Sequence, residues 1–498
     1  MSSLTKNFLA CDLGAESGRV ILGKWTGNTV ALDPLHRFPT GATEVRGSLR
    51  WDILRFFDEI GRGIAAAAAR REPVAGLSVD AWGVDYAYFG AIDPLIGLPF
   101  HYRDSRTDVS YPAFVKKAGV QRIFAETGVQ FMQINTLYQL YDDVLNRRAL
   151  TDLAKGFTGI ANYFHFLLTG NVVIERSQAS TTQIYNPVQR NWSEVLVNEL
   201  GLRRDLFPQI IDSGTKLGTL DLRLVERLGA SAFPIYATCS HDTGAAVAAV
   251  PASGQNWAFL SSGTWSLLGI ERANPLISDA SLQHNYTNEL GYGGRIRFLR
   301  NILGLWLLQE MRRELVLCGT EVDYKQLMEL ASTGTPFRSL IYPNEPEFLK
   351  PDRMIEKVQD FCRRTEQPAP ESPAELSRCI LESLALSYGD QIYQLEGIAD
   401  THIEVLHVVG GGSQNQLLNQ FTANAAQRRV LAGPVEATAL GNILIQAIAA
   451  GELGSLEDVR EVIRRSFPIE EFTPAASGEW AEALERYRNL VSYENPLR

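Results

Sequence analysis

Four short clusters in this chain combine glycine with residues able to hold or move charge. They are Asp12-Leu13-Gly14-Ala15-Glu16-Ser17-Gly18-Arg19, Ser240-His241-Asp242-Thr243, Ser261-Ser262-Gly263-Thr264 and Gly410-Gly411-Gly412-Ser413. Three of them let a backbone turn tightly and present N–H groups to phosphate oxygens. The other, around His241, offers one carboxylate and one imidazole. In the first cluster Asp12 is placed to hold magnesium through water. In the last, three glycines in a row are entropically costly. Close approach of a flat ligand such as adenine or ribose would account for them, and close packing of a strand on a helix is the competing explanation. His241-Asp242 is followed by Gly244-Ala245-Ala246, small residues that let a substrate come near. A carboxylate within reach of a sugar hydroxyl there can accept its proton as phosphoryl transfer proceeds.

Two further clusters, Trp82-Gly83-Val84-Asp85 and Tyr102-Arg103-Asp104-Ser105-Arg106, carry the residue types that grip polyhydroxylated ligands. For the second, a surface salt-bridge network is the alternative. Other motifs fail on inspection. Gly18-Arg19-Val20-Ile21-Leu22-Gly23-Lys24 opens like a P-loop, but Trp25 follows where a hydroxyl should reach magnesium, and the spacer is a β-type apolar run. Gly410-x-Gly412 meets Asn415 at the last glycine of a dinucleotide fingerprint. No GxSxG nucleophile elbow is present.

The elements that must carry these clusters alternate between strand and helix. Phe8-Leu9-Ala10-Cys11 and Arg19-Val20-Ile21-Leu22 read as a hairpin, with the first cluster as its turn. Trp257-Ala258-Phe259-Leu260 and Trp265-Ser266-Leu267-Leu268 repeat that plan around Ser261 to Thr264. Each half thus starts with strand, phosphate-sized turn and strand, a weak internal repeat. Helices are expected at Gly61 to Arg70, Thr136 to Arg148, Ala161 to Leu168, Ile302 to Leu315 and Ala374 to Leu395. The last is announced by Ser372 as cap, Pro373 in the first turn and Glu375 closing a capping box. Strands are expected at Ala75 to Asp80 and at Glu404 to Val409, the latter turning at Gly410 to Gly412 into a helix capped by Ser413. Alternation of this kind predicts an α/β fold.

At 498 residues the chain exceeds the size of one growing core, so at least two domains are expected. The seam falls near residues 240–255, giving domains 1–245 and 246–498. A net charge of -10 argues against nucleic acid or an acidic membrane surface as partner. No apolar run reaches the ~20 residues a membrane span needs. Asp12 interrupts the early apolar stretch, so no signal peptide is expected. Five cysteines, Cys11, Cys239, Cys318, Cys362 and Cys379, are few and odd in number, which fits reduced thiols in a cytoplasm, although Cys362 and Cys379 are close enough in sequence to pair. The seven histidines show no metal-ligand spacing.

The segments Asp12-Leu-Gly-Ala-Glu-Ser-Gly-Arg-Val20, Asp80-Ala-Trp-Gly-Val-Asp85, Tyr102-Arg-Asp-Ser-Arg-Thr107, Asn135-Thr-Leu-Tyr-Gln139, Ser240-His-Asp-Thr243, Leu260-Ser-Ser-Gly-Thr-Trp-Ser266, Asn301-Ile-Leu-Gly-Leu-Trp-Leu-Leu-Gln309, Val409-Gly-Gly-Gly-Ser-Gln-Asn415 and Gly433-Pro-Val-Glu-Ala-Thr-Ala-Leu-Gly-Asn442 run nearly end to end. In that order they resemble the FGGY carbohydrate kinase family, of the actin/hexokinase/Hsp70 superfamily. The resemblance is strongest to members that phosphorylate L-rhamnulose at its 1-hydroxyl with ATP. It implies two ribonuclease-H-like domains around a cleft, an N-terminal one for sugar and phosphate and a C-terminal one for nucleotide. It implies that Ala15, Glu16, Ser17, Gly18 and Arg19 cradle the ATP phosphates, with Asp12 near magnesium. Thr264, Gln309 and Gly411 would complete the nucleotide site. Gly83, His241, Asp242, Thr243 and Asn301 would line the sugar site, with Asp242 as general base. Two departures stand out. Glu16 replaces the usual small or hydroxyl residue beside the phosphates, and Gly90 to Leu95 lacks the Asp-x-x-Gly turn of that hairpin. A kinase for fuculose, xylulose or another deoxyketose, a nucleotide-switch protein of the actin or chaperone type, and an inactive sugar sensor are the rival expectations.

Overall fold

The apolar runs that open each half of the sequence become the first strands of two sheets. The computed structural model describes residues 5–475 and 478–492. They fall into two compact units, the first comprising Met1–Pro251, Glu271–Phe298 and Ala437–Phe467, the second Ala252–Ile270, Leu299–Glu436 and Pro468–Arg498.

The first unit is built on a six-stranded sheet in the order Val30–Pro39, Ser17–Trp25, Lys6–Leu13, Val74–Ala81, Pro234–Ala237, Thr215–Thr219. The first three strands are antiparallel neighbours. Lys6–Leu13, Val74–Ala81 and Pro234–Ala237 are parallel, and Thr215–Thr219 returns antiparallel at the edge. The central strand Lys6–Leu13 is buried along nearly all its length, as its unbroken apolar run requires. Helix Ile53–Ala69 is capped by Asp52, which accepts from Arg55 N at 3.3 Å. It buries Phe56, Ile60, Ile64 and Ala67, one face at helical spacing. Helix Ala437–Ala449 is buried nearly all round. It packs so closely on helix Asp242–Ala248 that a Cβ on Gly441 would lie 1.9 Å from Ala245 O.

The second unit repeats the plan. Its seven-stranded sheet runs Thr287–Leu290, Ile296–Leu303, Trp265–Arg272, Trp257–Ser262, Val405–Val409, Arg429–Ala432, Glu470–Phe472, the first being an added edge strand. Trp257–Ser262 and Trp265–Arg272 are antiparallel. Trp257–Ser262, Val405–Val409 and Arg429–Ala432 are parallel, and Glu470–Phe472 closes the edge antiparallel. The strand–turn–strand repeat read from the sequence is therefore the start of two sheets of one topology. Helix Pro373–Ala399 begins as expected, with Ser372 and Glu375 in a reciprocal capping box.

Two expected elements differ. Residues 302–303 end the strand Ile296–Leu303, and the helix is Trp306–Leu317. Gly304 lies between them, where a Cβ would meet Ser266 Oγ at 2.3 Å and only glycine fits. After Val405–Val409 the chain makes a 3₁₀ turn, Gly411–Gln414, before helix Gln416–Ala426, whose cap is Asn415 rather than Ser413. Asn415 Oδ1 accepts from Leu418 N at 3.0 Å, while Ser413 Oγ donates to Gly410 O at 2.7 Å inside the preceding turn. All five cysteines are free thiols. Among the described residues no helix is long and apolar enough to cross a membrane.

Candidate active site

Three parallel strands of the first unit end side by side, each delivering an aspartate. Asp12 stands opposite Asp80 in the pairing of Lys6–Leu13 with Val74–Ala81. Beyond Pro234–Ala237 the chain stays beside Val74–Ala81, where Ala81 bridges His241 and Ala81 N donates to Ser240 O at 3.0 Å. Asp242 follows as the first residue of helix Asp242–Ala248. Open α/β sheets bind ligands at the carboxyl ends of their parallel strands.

Asp242 uses its two oxygens differently. Oδ1 accepts from Thr243 N at 2.5 Å and Thr243 Oγ1 at 3.2 Å, and it lies 3.4 Å from His241 Nε2. Oδ2 has no hydrogen-bond partner among the described residues. The side chain is 27% exposed. Burial holds its carboxyl above the ordinary carboxylate range; His241 offsets part of that and Asp12 adds to it. A base raised in this way is better matched to proton transfer near neutral pH.

Asp12 is buried and accepts both Arg19 Nε, at 2.9 Å, and Arg19 Nη2, at 2.8 Å, on its Oδ2. The turn between them is closed by Gly14 N donating to Ser17 O at 3.0 Å and by Thr40 Oγ1 donating to Gly14 O at 2.5 Å. Ala15 is half-buried and Glu16 exposed at its tip. Gly18 is small for a packing reason, since a Cβ would meet Phe38 at 2.5 Å and Leu13 at 2.9 Å. Asp80 is fully buried. Its Oδ2 accepts from Asn442 Nδ2 at 2.5 Å, and its Oδ1 has no partner among the described residues. Burial and then the neighbouring Asp12 raise its carboxyl well above the ordinary range. Sequence reasoning passed over Asp80 and Asn442 as site residues. An acid ending the apolar run Leu77-Ser78-Val79 was the available signal for Asp80.

Gly83 sits against Thr181, whose Cγ2 would be 2.8 Å from an added Cβ. The next residue, Val84, has φ 66°, a strained conformation for a β-branched side chain. It is held by Thr181 Oγ1, which accepts from Val84 N at 3.1 Å, and by Thr136 Oγ1, which donates to Val84 O at 2.5 Å. Asp85 anchors the same loop. Its Oδ2 accepts from Trp51 Nε1 at 2.6 Å, Trp82 Nε1 at 3.0 Å and Tyr102 N at 3.1 Å, and its Oδ1 from Gln139 Nε2 at 3.0 Å. Trp82 packs on Trp51, and Trp51 on His101, with ring centroids 4.1 Å apart in both pairs. The second polar cluster is not a surface network. Arg106 is buried, donating to Asp143 Oδ1 at 2.8 Å and Gln139 Oε1 at 2.7 Å, and buried Asp104 accepts from Leu49 N at 2.6 Å. The arginine and acids fold inward because each finds a partner from another segment.

Burial pushes the Asp85 carboxyl up to about 6, against the pull of hydrogen bonds from Gln139, Trp51 and Trp82 and of the Arg106 charge. A carboxyl that binds its proton more tightly when folded stabilises the fold below its unfolded value. That contribution is lost as pH rises through the folded value. Asp85→Asn abolishes this titration. The stability of the native protein relative to Asp85→Asn should therefore be greater at about pH 4.5 than at about pH 7.5, by about 2 kcal/mol. Urea unfolding at both pH values measures it, and a pH-independent difference would contradict the assignment.

Thr264, Gln309, Gly411 and Asn301 belong to the second unit. The turn carrying Thr264 caps helix Trp306–Leu317. Gly263 O accepts from Leu305 N at 3.0 Å, and Thr264 O from Trp306 N at 3.1 Å. One turn into that helix, Gln309 Oε1 is buried without a partner among the described residues. Asn301 is half-buried, and its carbonyl accepts from Asn344 Nδ2 at 3.3 Å. The three glycines separate by cause. A Cβ on Gly410 would meet Ser262 O at 3.0 Å, and one on Gly412 would meet Ser262 Oγ at 2.0 Å. Close packing against the neighbouring strand thus explains Gly412, and Gly410, at φ 86°, is also held in a conformation that favours glycine. Gly411 alone is exposed, with nothing within 4 Å of an added Cβ.

Comparison with known proteins gives this arrangement a family. Residues 7–249 match the N-terminal domain of the FGGY family of carbohydrate kinases, and residues 258–450 match its C-terminal domain. A rhamnulokinase of Bacteroides thetaiotaomicron is 39% identical over 98% of this chain and 100% of its own length. One of Bacillus subtilis is 36% identical over 94% and 95%. A xylulose kinase structure from Lactobacillus acidophilus superposes with a TM-score of 0.81 at 17% identity, covering 99% of this chain and 98% of the other. A glycerol kinase structure with ADP from Plasmodium falciparum gives 0.78 at 15%, covering 97% and 98%. The fold is thus the two-domain, mixed α/β fold of sugar kinases. Matched over most of its length by both domain models, and over nearly all of it by relatives well above 30% identity, the chain belongs to the FGGY family of ATP-dependent carbohydrate kinases.

Proposed function

We propose that this kinase transfers the terminal phosphoryl group of ATP to the 1-hydroxyl of L-rhamnulose, giving L-rhamnulose 1-phosphate and ADP. The observation that carries the choice of sugar is the 36–39% identity, over at least 93% of the chain, to relatives named rhamnulokinase. The solved sugar kinases at 15–17% identity support the fold alone.

In this reading Asp242 is the general base. Its Oδ2 takes the hydroxyl proton as the sugar oxygen bonds to phosphorus and ADP leaves. The Oδ1 contacts support that role by fixing the carboxylate and leaving one oxygen for the substrate. Gly83, His241, Thr243 and Asn301 line the sugar, and domains 1–245 and 246–498 divide sugar from nucleotide binding. Ala15, Glu16, Ser17, Gly18 and Arg19 meet the ATP phosphates; Thr264, Gln309 and Gly411 meet the rest of the nucleotide. Most of the rate would come from alignment and charge neutralisation, because the transition state of phosphoryl transfer is loose.

Family members use ATP and typically a divalent metal. Among the described residues no group of three or more His, Cys, Asp and Glu side chains could hold a metal ion. Magnesium is ordinarily bound through one or two carboxylates with phosphates and waters completing its shell. Asp12 and Asp80 fit that need. They are adjacent buried acids, Asp80 Oδ1 lacks a partner among the described residues, and both Arg19 contacts fall on Asp12 Oδ2, leaving Oδ1. When bound there, through water in the case of Asp12, magnesium would neutralise phosphate charge. The free thiols suit a reducing, cytoplasmic setting.

A panel of L-rhamnulose, L-fuculose, D-xylulose and related ketoses, assayed for ADP release with magnesium and ATP, tests the reading. L-rhamnulose is expected to give the highest kcat/KM by at least ~10-fold, the scale set by one well-recognised or misplaced group. A higher value for another ketose would reassign the substrate. Slow ADP release indifferent to every sugar would favour a nucleotide switch instead.

A further inference from the structure

Arg297 has no part in the functional reading above, yet it is the group that faces the far side of His241. It lies in strand Ile296–Leu303 and is fully buried. Its Nε donates to Leu290 O at 3.2 Å, and Nη2, with two hydrogens, lies 3.0 Å from His241 Nδ1, 3.2 Å from Glu289 Oε2 and 3.1 Å from the Leu290 O that Nε already serves. A guanidinium only donates. Where it meets an imidazole nitrogen, that nitrogen must be the bare acceptor, and the proton of the neutral ring must sit on the other nitrogen. That other nitrogen, His241 Nε2, faces Asp242 Oδ1 at 3.4 Å.

Glu289 pulls the opposite way. Its Oε2 lies 3.3 Å from the same Nδ1 and, as a carboxylate, would call for a proton there. Two features favour Arg297. It is the nearer group, and the Glu289 oxygen is itself bonded to the guanidinium. A ring protonated on both nitrogens would also set a donor against a donor beside a buried positive charge.

We infer that Arg297 is a positioning residue, which fixes the His241 proton on Nε2 so that the imidazole donates to Asp242 Oδ1 and leaves Oδ2 to meet the sugar hydroxyl. The inference rests on Asp242 being the base. It adds a device that holds the base in one orientation, assembled from a residue 55 positions away in sequence. Glu289 then serves to balance the buried guanidinium.

The test reads the tautomer directly. The full chain is labelled with ¹⁵N-histidine, and the ring signals missing from His241→Gln identify His241. At about pH 7.5, Nδ1 should show the unprotonated type of shift and Nε2 the protonated type. The reverse pattern, or two protonated nitrogens, overturns the inference. Kinetics supply a second readout. Arg297→Met should lower kcat at least ~10-fold, the mild end of what a mis-set tautomer costs, with KM for ATP little changed. Arg297→Lys, which keeps charge and donor, should recover most of that loss. Equal losses in both variants, with KM for ATP rising, would mean a merely structural role and sink the inference. Should Arg297→Met fail to fold, the native spectrum still decides. Failure of the base reading looks different, with Asp242→Asn remaining active while the tautomer is as described.

Discussion

Asp242→Asn is expected to bind ATP within a few-fold of the native enzyme and to lower kcat by at least ~100-fold, the usual scale for a lost general base. The substitution isolates the chemistry. An asparagine oxygen in the place of Oδ1 can still accept from Thr243 N, at 2.5 Å in the native protein, and from Thr243 Oγ1. The amide nitrogen then replaces Oδ2, the oxygen left without a partner, and it has no capacity to take a proton. Shape and packing are retained, so a fall in kcat without a matching rise in KM for ATP locates the loss in the transition state. Removing the carboxylate also lessens the charge crowding with Asp12 and Asp80, so stability should not fall. Near-normal turnover, measured as sugar-dependent ADP release, would remove Asp242 from the reaction.

Gly441→Ala should be the most damaging single methyl group in the first unit. The added Cβ would lie 1.9 Å from Ala245 O and 2.6 Å from Ala245 C. Both are backbone atoms of helix Asp242–Ala248, so no side-chain rotamer can yield. The two helices must part or the variant must rearrange. Overpacking of a rigid contact costs about 3 kcal/mol, which lowers the midpoint of thermal unfolding by ~6 °C or more. Activity should fall further than stability suggests, because the helix that moves begins at Asp242. The following residue, Asn442, holds Asp80 Oδ2 at 2.5 Å. Differential scanning calorimetry with sugar-dependent turnover checks both halves of the expectation. An alanine variant with unaltered midpoint and kcat would mean that the helix contact is softer than its geometry.

What the sequence made legible was local. The two hairpins stood out because buried strands need unbroken apolar runs around a polar turn, and the cap of helix Pro373–Ala399 because Ser372, Pro373 and Glu375 sit within four positions of one another. Asp242 stood out as the proposed base for a similar reason, an acid beside a histidine ahead of a run of small residues. The misjudged parts depend on contacts between distant segments. Glycine at 412 is dictated by Ser262, some 150 residues earlier, and no pattern near residue 410 announces it. Ile302 and Leu303 end a strand instead of opening a helix, and Gly304 after them is small because of Ser266, again a distant segment. For Tyr102 to Arg106 a surface network stood as the alternative because charged residues are usually exposed. Burial of Arg106 required Asp143 and Gln139, which the fold alone brings to it. Arg297 and Glu289 carry no local signal at all. Their role arises where strand Ile296–Leu303 passes behind His241.

The account turns on which oxygen meets which hydroxyl. A crystal structure of the Asp242→Asn variant with L-rhamnulose and a non-hydrolysable ATP analogue, compared with the native enzyme bearing L-rhamnulose and ADP, would measure this. The account predicts that in the native complex Asp242 Oδ2 lies within ~3.2 Å of the sugar's O1, the reach required of a general base, with Oδ1 still held by Thr243. A sugar whose O1 lies beyond that reach, or which presents a different hydroxyl to Asp242, would contradict it.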